Sequence, residues 1–141
     1  MNLPVQVTNV GGLAESPLPE SVRKFIVRHI HTLEQLDILL LLLENPRAWS
    51  DQEIAAALRT APESARARLS RLHGDGLVAI SPDAAPKYLY KPRTEALDRE
   101  ARALAQCYRE KRVAVITQIF APGGGRATLF ADAFRIKKGE G

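Results

Sequence analysis

Arg66, Arg68 and Arg71 share a segment with the apolar residues Ala65, Leu69 and Leu72. If that segment is helical, the apolar side chains turn inward. A step of about 100° per residue then points Glu63, Ala67, Ser70 and Arg71 outward, with Ser64, Arg66 and Arg68 on the flanks. The arginine fork matches the O6 and N7 acceptors of guanine, and a good bidentate contact is worth roughly 1–3 kcal/mol of base discrimination. Arg68 and Arg71 lead as base readers on this count. In the plainer reading the same arginines keep a helix soluble and pair with Glu63 or Asp75. A second basic set, Lys87, Lys91 and Arg93, has the charge to hold phosphate, against an intervening stretch, Ser81 to Pro86, that carries Asp83 and no arginine.

Other chemistries find less support. His29 and His31 stand two apart and, on a helix, face different directions, while His73 has only Asp75 close by in sequence, so a metal site is not expected. Cys107 is the single cysteine, which excludes an internal disulfide. It lies beside the cations Arg109, Lys111 and Arg112, which could lower a thiol pKa, but a passive, partly buried cysteine is the simpler reading. Gly123, Gly124 and Gly125 precede Arg126 without the strand before or the Lys-Ser/Thr pair after that a phosphate loop needs, so they read as a linker. No nucleophile is accompanied by a base and an orienting group, and we expect neither catalytic residues nor a cofactor.

The composition suits a single compact core with appendages: of 141 residues, 45% are hydrophobic and 26% charged, and the net charge of +4 favours an anionic partner. The apolar run 36–43 contains Asp37 and falls far short of the roughly 20 residues that cross a bilayer. With no export signal at the N-terminus, no membrane association and a cytoplasmic location are expected.

Several elements position these residues. Residues 1–20, with Pro4, Pro17 and Pro19, read as an arm. Val22, Phe25, Ile26 and Ile30 then recur at helical spacing. Thr32 with Gln35 forms a capping-box signature that starts a helix at Leu33, apolar nearly all round and ended near Glu44 by Pro46. Ser50 with Glu53 starts a short helix that ends near Arg59, and Thr60 with Glu63 starts the arginine helix, with Pro62 in its first turn. Trp49, just ahead of the short helix, is expected to pack over the core or the base of the following hairpin. Gly74 and Gly76 stop the arginine helix. Leu77 to Ile80 and Lys87 to Lys91 make a hairpin closed by Pro92. Thr94 caps a long helix with the apolar stripe Leu97, Ala101, Leu104, Tyr108, Val115, Ile116 and Ile119, and with favourable i,i+4 pairs Glu95–Arg99 and Asp98–Arg102. Beyond Pro122 and the glycines, Leu129, Phe130, Ala133, Phe134 and Ile136 suggest a short closing helix.

Helix, short helix, tight turn, helix and two-stranded hairpin over about 32–92 resemble the winged helix-turn-helix superfamily. The stretch running through Leu69, Leu72, Gly76, Leu77 and Val78 is similar to its recognition-helix ending and first wing strand. The flanking helices resemble those of MarR-like and ArsR-like regulators, with no particular member matched. The expected fold class is mainly α with a small β-hairpin. A winged helix-turn-helix domain with its leading helix spans 21–93, a long helix follows over 94–121, and a Gly-rich hinge with a closing helix occupies 122–141.

The resemblance implies a transcriptional regulator that places the helix over about 61–73 in the major groove of double-stranded DNA. Ser64, Arg66, Ala67, Arg68, Ser70, Arg71, Lys87, Lys91 and Arg93 would make the contacts. The stripe on the long helix exceeds what a small three-helix core covers, so a homodimer is expected through Leu97, Ala101, Leu104, Tyr108, Val115, Ile116 and Ile119, reading half-sites about 34–36 Å apart. The alternative is a winged-helix module that binds a protein of the transcription machinery and has little DNA affinity, with the Phe130–Phe134 segment as a docking tail.

Overall fold

The structure, a computed structural model, describes residues 18–121. Nearly all of the expected arm, and the expected hinge and closing helix over 122–141, lie outside the described residues. Six helices and three short strands follow in the order α1 (Glu20–His29), α2 (Leu33–Glu44), β1 (Trp49–Ser50), α3 (Asp51–Leu58), α4 (Pro62–Gly74), β2 (Val78–Ile80), β3 (Lys87–Tyr90), α5 (Glu95–Glu110) and α6 (Arg112–Ile119). No described helix is long and apolar enough to cross a membrane.

Local chemistry sets most of these boundaries. Thr32 accepts from the Gln35 N–H at 3.0 Å and so caps α2, but the Gln35 side chain returns to the N–H of His31, one residue before the cap. Ser50 and Glu53 close a full capping box on α3. Leu36, Ile38, Leu39 and Leu42 are fully buried, so α2 is the central post, with α4 and α3 packed against it.

The sheet is antiparallel in the order β1-β3-β2. Val78 pairs with Tyr90 at the base of the hairpin, whereas Trp49 pairs with Tyr88, opposite Ile80 at the turn end. Trp49 therefore packs against the core but not at the hairpin's base, with the Arg47 guanidinium 3.6 Å above its ring. The two-residue strand β1 carries no sequence signal of its own. Tyr90 donates to Asp98 Oδ1 at 2.7 Å, and Arg102 approaches the same oxygen at 2.9 Å, which ties β3 to α5. This is a winged helix-turn-helix with a helix before it and two behind.

Two expectations need correction. The helix after the hairpin is not continuous: it breaks at Lys111 (φ −135°, ψ 56°) with no proline or glycine there. An unbroken helix would carry Lys111, three residues after Tyr108 and four before Val115, onto the apolar stripe. The break leaves its ammonium exposed instead. The capping box expected at Thr60 does not form either. Ala61 is the N-cap of α4, with no side-chain bond, because the Thr60 hydroxyl is taken by Glu34.

Candidate nucleic-acid interface

The connection from α3 to α4 turns on Arg59, whose φ of 59° and ψ of 48° lie in the left-handed region, unusual for a residue with a Cβ. The Thr60 N–H donates to Ala55 O at 2.9 Å and fixes the reversal. Pro62 then enters the first turn of α4, where its missing N–H leaves no bond unmade. Ala65, Leu69 and Leu72 are fully buried. Glu63, Arg66, Ala67, Ser70 and Arg71 are exposed, with Ser64 and Arg68 half-buried between the two faces.

Carboxylates from elsewhere in the chain engage the arginines of this helix. Glu34, in the first turn of α2, accepts from Ser64 Oγ at 2.6 Å, from Arg68 Nε at 3.0 Å and from the Thr60 hydroxyl. Burial alone would raise the Glu34 pKa, but the bonds from Ser64, Thr60 and Arg68 outweigh it and hold the carboxyl below its usual range. Arg66 pairs with Asp51 Oδ2 at 2.6 Å. Arg71 Nη2 lies 2.8 Å from His31 Nε2, and its Nε lies 3.7 Å from Asp75 Oδ2. The pairing of Arg71 with Asp75 is the one the plainer reading expects, whereas Glu34 and Asp51 carry no sequence mark as partners. Arg68, expected with Arg71 to lead as a base reader, joins α4 to α2 through Glu34. His29 and His31 do not diverge along one helix, because α1 ends at His29, and both bear on the far end of α4 through Asp75 and Arg71.

The hairpin differs. The Ser81 N–H donates to Lys87 O at 2.8 Å and the Lys87 N–H to Ser81 Oγ at 3.1 Å, closing its turn, while residues 82–86 are exposed. Lys91 is joined to Leu77 O through its N–H at 3.0 Å, and Arg93 to Gly76 O at 2.7 Å. The Arg93 side chain lies over Gly76, whose φ of 82° is the backbone conformation that requires glycine there; a Cβ would come within 2.9 Å of the guanidinium carbon, the far end of an exposed side chain that can move aside. Among the described residues, Lys87, Lys91, Arg93 and Arg59 have no carboxylate at ion-pair distance. Arg59 is a further candidate residue, absent from the expectations drawn from the sequence. Its one signal is the shortness of the turn between Leu58 and Pro62.

The stripe expected to pair two copies is largely covered within one chain. Ala101, Leu104 and Val115 are fully buried, Tyr108 and Ile119 nearly so, and Leu97 and Ile116 half-buried. Helix α1 packs on α5 and α6 and supplies Val22, Phe25 and Ile26, which the reckoning with a three-helix core omits. Val113 on α6 and Phe120, its C-cap, stay exposed, at 76% and 56%. Burial raises the Cys107 thiol pKa, only partly offset by Lys111, which leaves little thiolate.

No family model and no curated protein matches the sequence. The backbone is similar to those of MarR-type regulators. A transcriptional regulator from Thermotoga maritima is 23% identical with a TM-score of 0.46, over 85% of this chain and 82% of that one. A MarR family protein from Bacillus stearothermophilus is 16% identical, also at 0.46, over 86% and 82%. A MarR family transcriptional regulator from Rhodococcus sp. RHA1 is 20% identical at 0.43, over 82% and 84%.

Proposed function

We propose that this chain is a cytoplasmic, sequence-specific transcriptional regulator that binds double-stranded DNA as a homodimer. One observation carries the reading: the outward face of α4, with Arg66, Ala67, Ser70 and Arg71, stands beside a hairpin whose Lys87, Lys91 and Arg93 have no carboxylate at ion-pair distance among the described residues, Lys87 feeling Glu53 only at longer range. A surface that leaves cations unneutralised beside a rigidly held helix is suited to a polyanion whose groove admits that helix. In this reading α4 enters the major groove. Ser70 and Arg71 reach base edges, and the hairpin cations and Arg59 hold phosphates. Ser64, Arg66 and Arg68 act chiefly by seating the helix on α2 and α3.

The second copy would cover α6. Val113, Ile116 and Phe120 recur at helical spacing on one side, and the first and last are the large exposed apolar groups there. Introducing Val113→Asp with Phe120→Asp converts the dimer to monomer in sedimentation equilibrium if this is the interface.

The reading is tested by titrating the protein against duplexes from its own upstream region and against unrelated duplexes at equal salt. Selective binding, relaxed at one base position by Arg71→Ala at a cost of about 1–3 kcal/mol, supports it. Equal weak binding to every duplex rejects it in favour of a protein partner.

A further inference from the structure

The C-terminal end of α4 meets the junction of α1 and α2 through four polar side chains. His29 Nδ1 lies 3.0 Å from Asp75 Oδ2, and Arg71 reaches Asp75 with Nε and His31 with Nη2. Arginine carries donors only, so His31 Nε2 is the acceptor, and its imidazole is neutral with the proton on Nδ1. The placement of His31 is built in. Its main-chain N–H donates to Gln35 Oε1 at 2.8 Å, and Gln35 is only 2% exposed. Among the described residues, the charged and titratable groups nearest this junction along the chain are Arg28 and His29 in the last turn of α1, Glu34 in the first turn of α2, and Arg68, Arg71, His73 and Asp75 towards the end of α4 and its cap. Glu34 and Arg68 bind each other, Asp75 is faced by His29 and Arg71, and His73 turns to Val78 O at 3.1 Å.

We infer that the Arg71–His31 pair is a proton-linked latch on α4, with His31 a positioning residue for Arg71. The inference rests on the reading of α4 as the DNA-facing helix. Neutral His31 holds the guanidinium against the protein. Protonation of Nε2 removes the lone pair that Arg71 uses there and sets two cations side by side, which turns Arg71 outward. On DNA the vacated Nε2 takes up a proton near the phosphates, so duplex binding and protonation favour each other.

The test uses the full chain and has two arms. Nitrogen NMR of the imidazoles reads the tautomer without DNA. Neutral His31 is expected in its Nδ1–H form, reverting to the Nε2–H form common in free histidine when Arg71→Ala removes the donor. Duplex affinity between about pH 7.5 and 6 is expected to rise roughly tenfold for the unaltered protein, one proton being taken up. It should stay flat in His31→Gln, whose amide oxygen accepts from Arg71 without titrating, and keep its rise in His29→Gln and His73→Gln. An Nε2–H tautomer for His31 in the unaltered protein overturns the latch, as does a pH dependence that survives His31→Gln. If no duplex binds at any pH, the DNA reading fails separately and the tautomer alone decides the latch.

Discussion

Helix α4 and the hairpin beside it are both basic, yet they hold their cations differently. On α4, Arg66, Arg68 and Arg71 are each engaged by a carboxylate or imidazole from another part of the fold, Asp51, Glu34, or His31 with Asp75. On the hairpin and just after it, Lys87, Lys91 and Arg93 have no such group at ion-pair distance among the described residues, and Lys87 feels Glu53 only at longer range. In the proposed reading, the charge that attracts a polyanion therefore sits mainly on the hairpin, and the arginines of the helix serve first to fix its position. Any arginine of α4 that reads a base must exchange an internal partner for it. That exchange lowers affinity but favours specificity, since a wrong base leaves the internal pairing the better option.

The contrast can be broken from the helix side first. Leu69→Ala removes a fully buried anchor and should cost about 3 kcal/mol in denaturant unfolding, whereas the hairpin cations carry no such load. Next, Glu34→Ala leaves Thr60, Ser64 and Arg68 without their shared acceptor and should cost about 1–2 kcal/mol. The same carboxyl gives a pH signature. Because its folded pKa lies below the ordinary 4.5, its contribution is full above that value and is lost as pH falls through the folded pKa. The stability difference between the unaltered protein and Glu34→Ala should therefore shrink on acidification below about pH 4.5. A smaller gain, under about 1 kcal/mol, is expected for Arg59→Gly, which relieves the left-handed backbone at the turn. Smallest of all, Lys87→Ala, Lys91→Ala and Arg93→Ala combined should move stability by no more than about 0.5 kcal/mol.

What the sequence disclosed and what it hid divide along sequence separation. The caps at Thr32 and Ser50 act over three residues, and Pro62 and Gly76 act on their own backbone, so α2, α3, the start of α4 and the hairpin are legible locally. The Thr60 box fails because its hydroxyl is claimed by Glu34, 26 positions away, and Arg68 is claimed across 34. Carboxylates at that distance leave no periodic trace. The wheel places Arg66, Ala67, Ser70 and Arg71 on the open face of α4, but it carries no information on who neutralises them. The break at Lys111 is readable in hindsight as a lysine falling on an apolar stripe. The cover that α1 gives to α5 and α6 depends on a packing choice that no single helix pattern specifies.

The central claim, that the hairpin supplies the attraction for DNA while α4 is internally neutralised, is tested most directly by the salt dependence of duplex binding. The logarithm of affinity should be followed against the logarithm of salt concentration for the unaltered protein, for the Lys87, Lys91 and Arg93 triple alanine variant, and for the Arg66 and Arg68 double alanine variant. Each lost phosphate contact lowers the slope by about one, so the triple variant should lose about three units and the double variant less than about one. Equal slopes in the unaltered protein and the triple variant, or a larger drop in the Arg66 and Arg68 variant, would contradict the account.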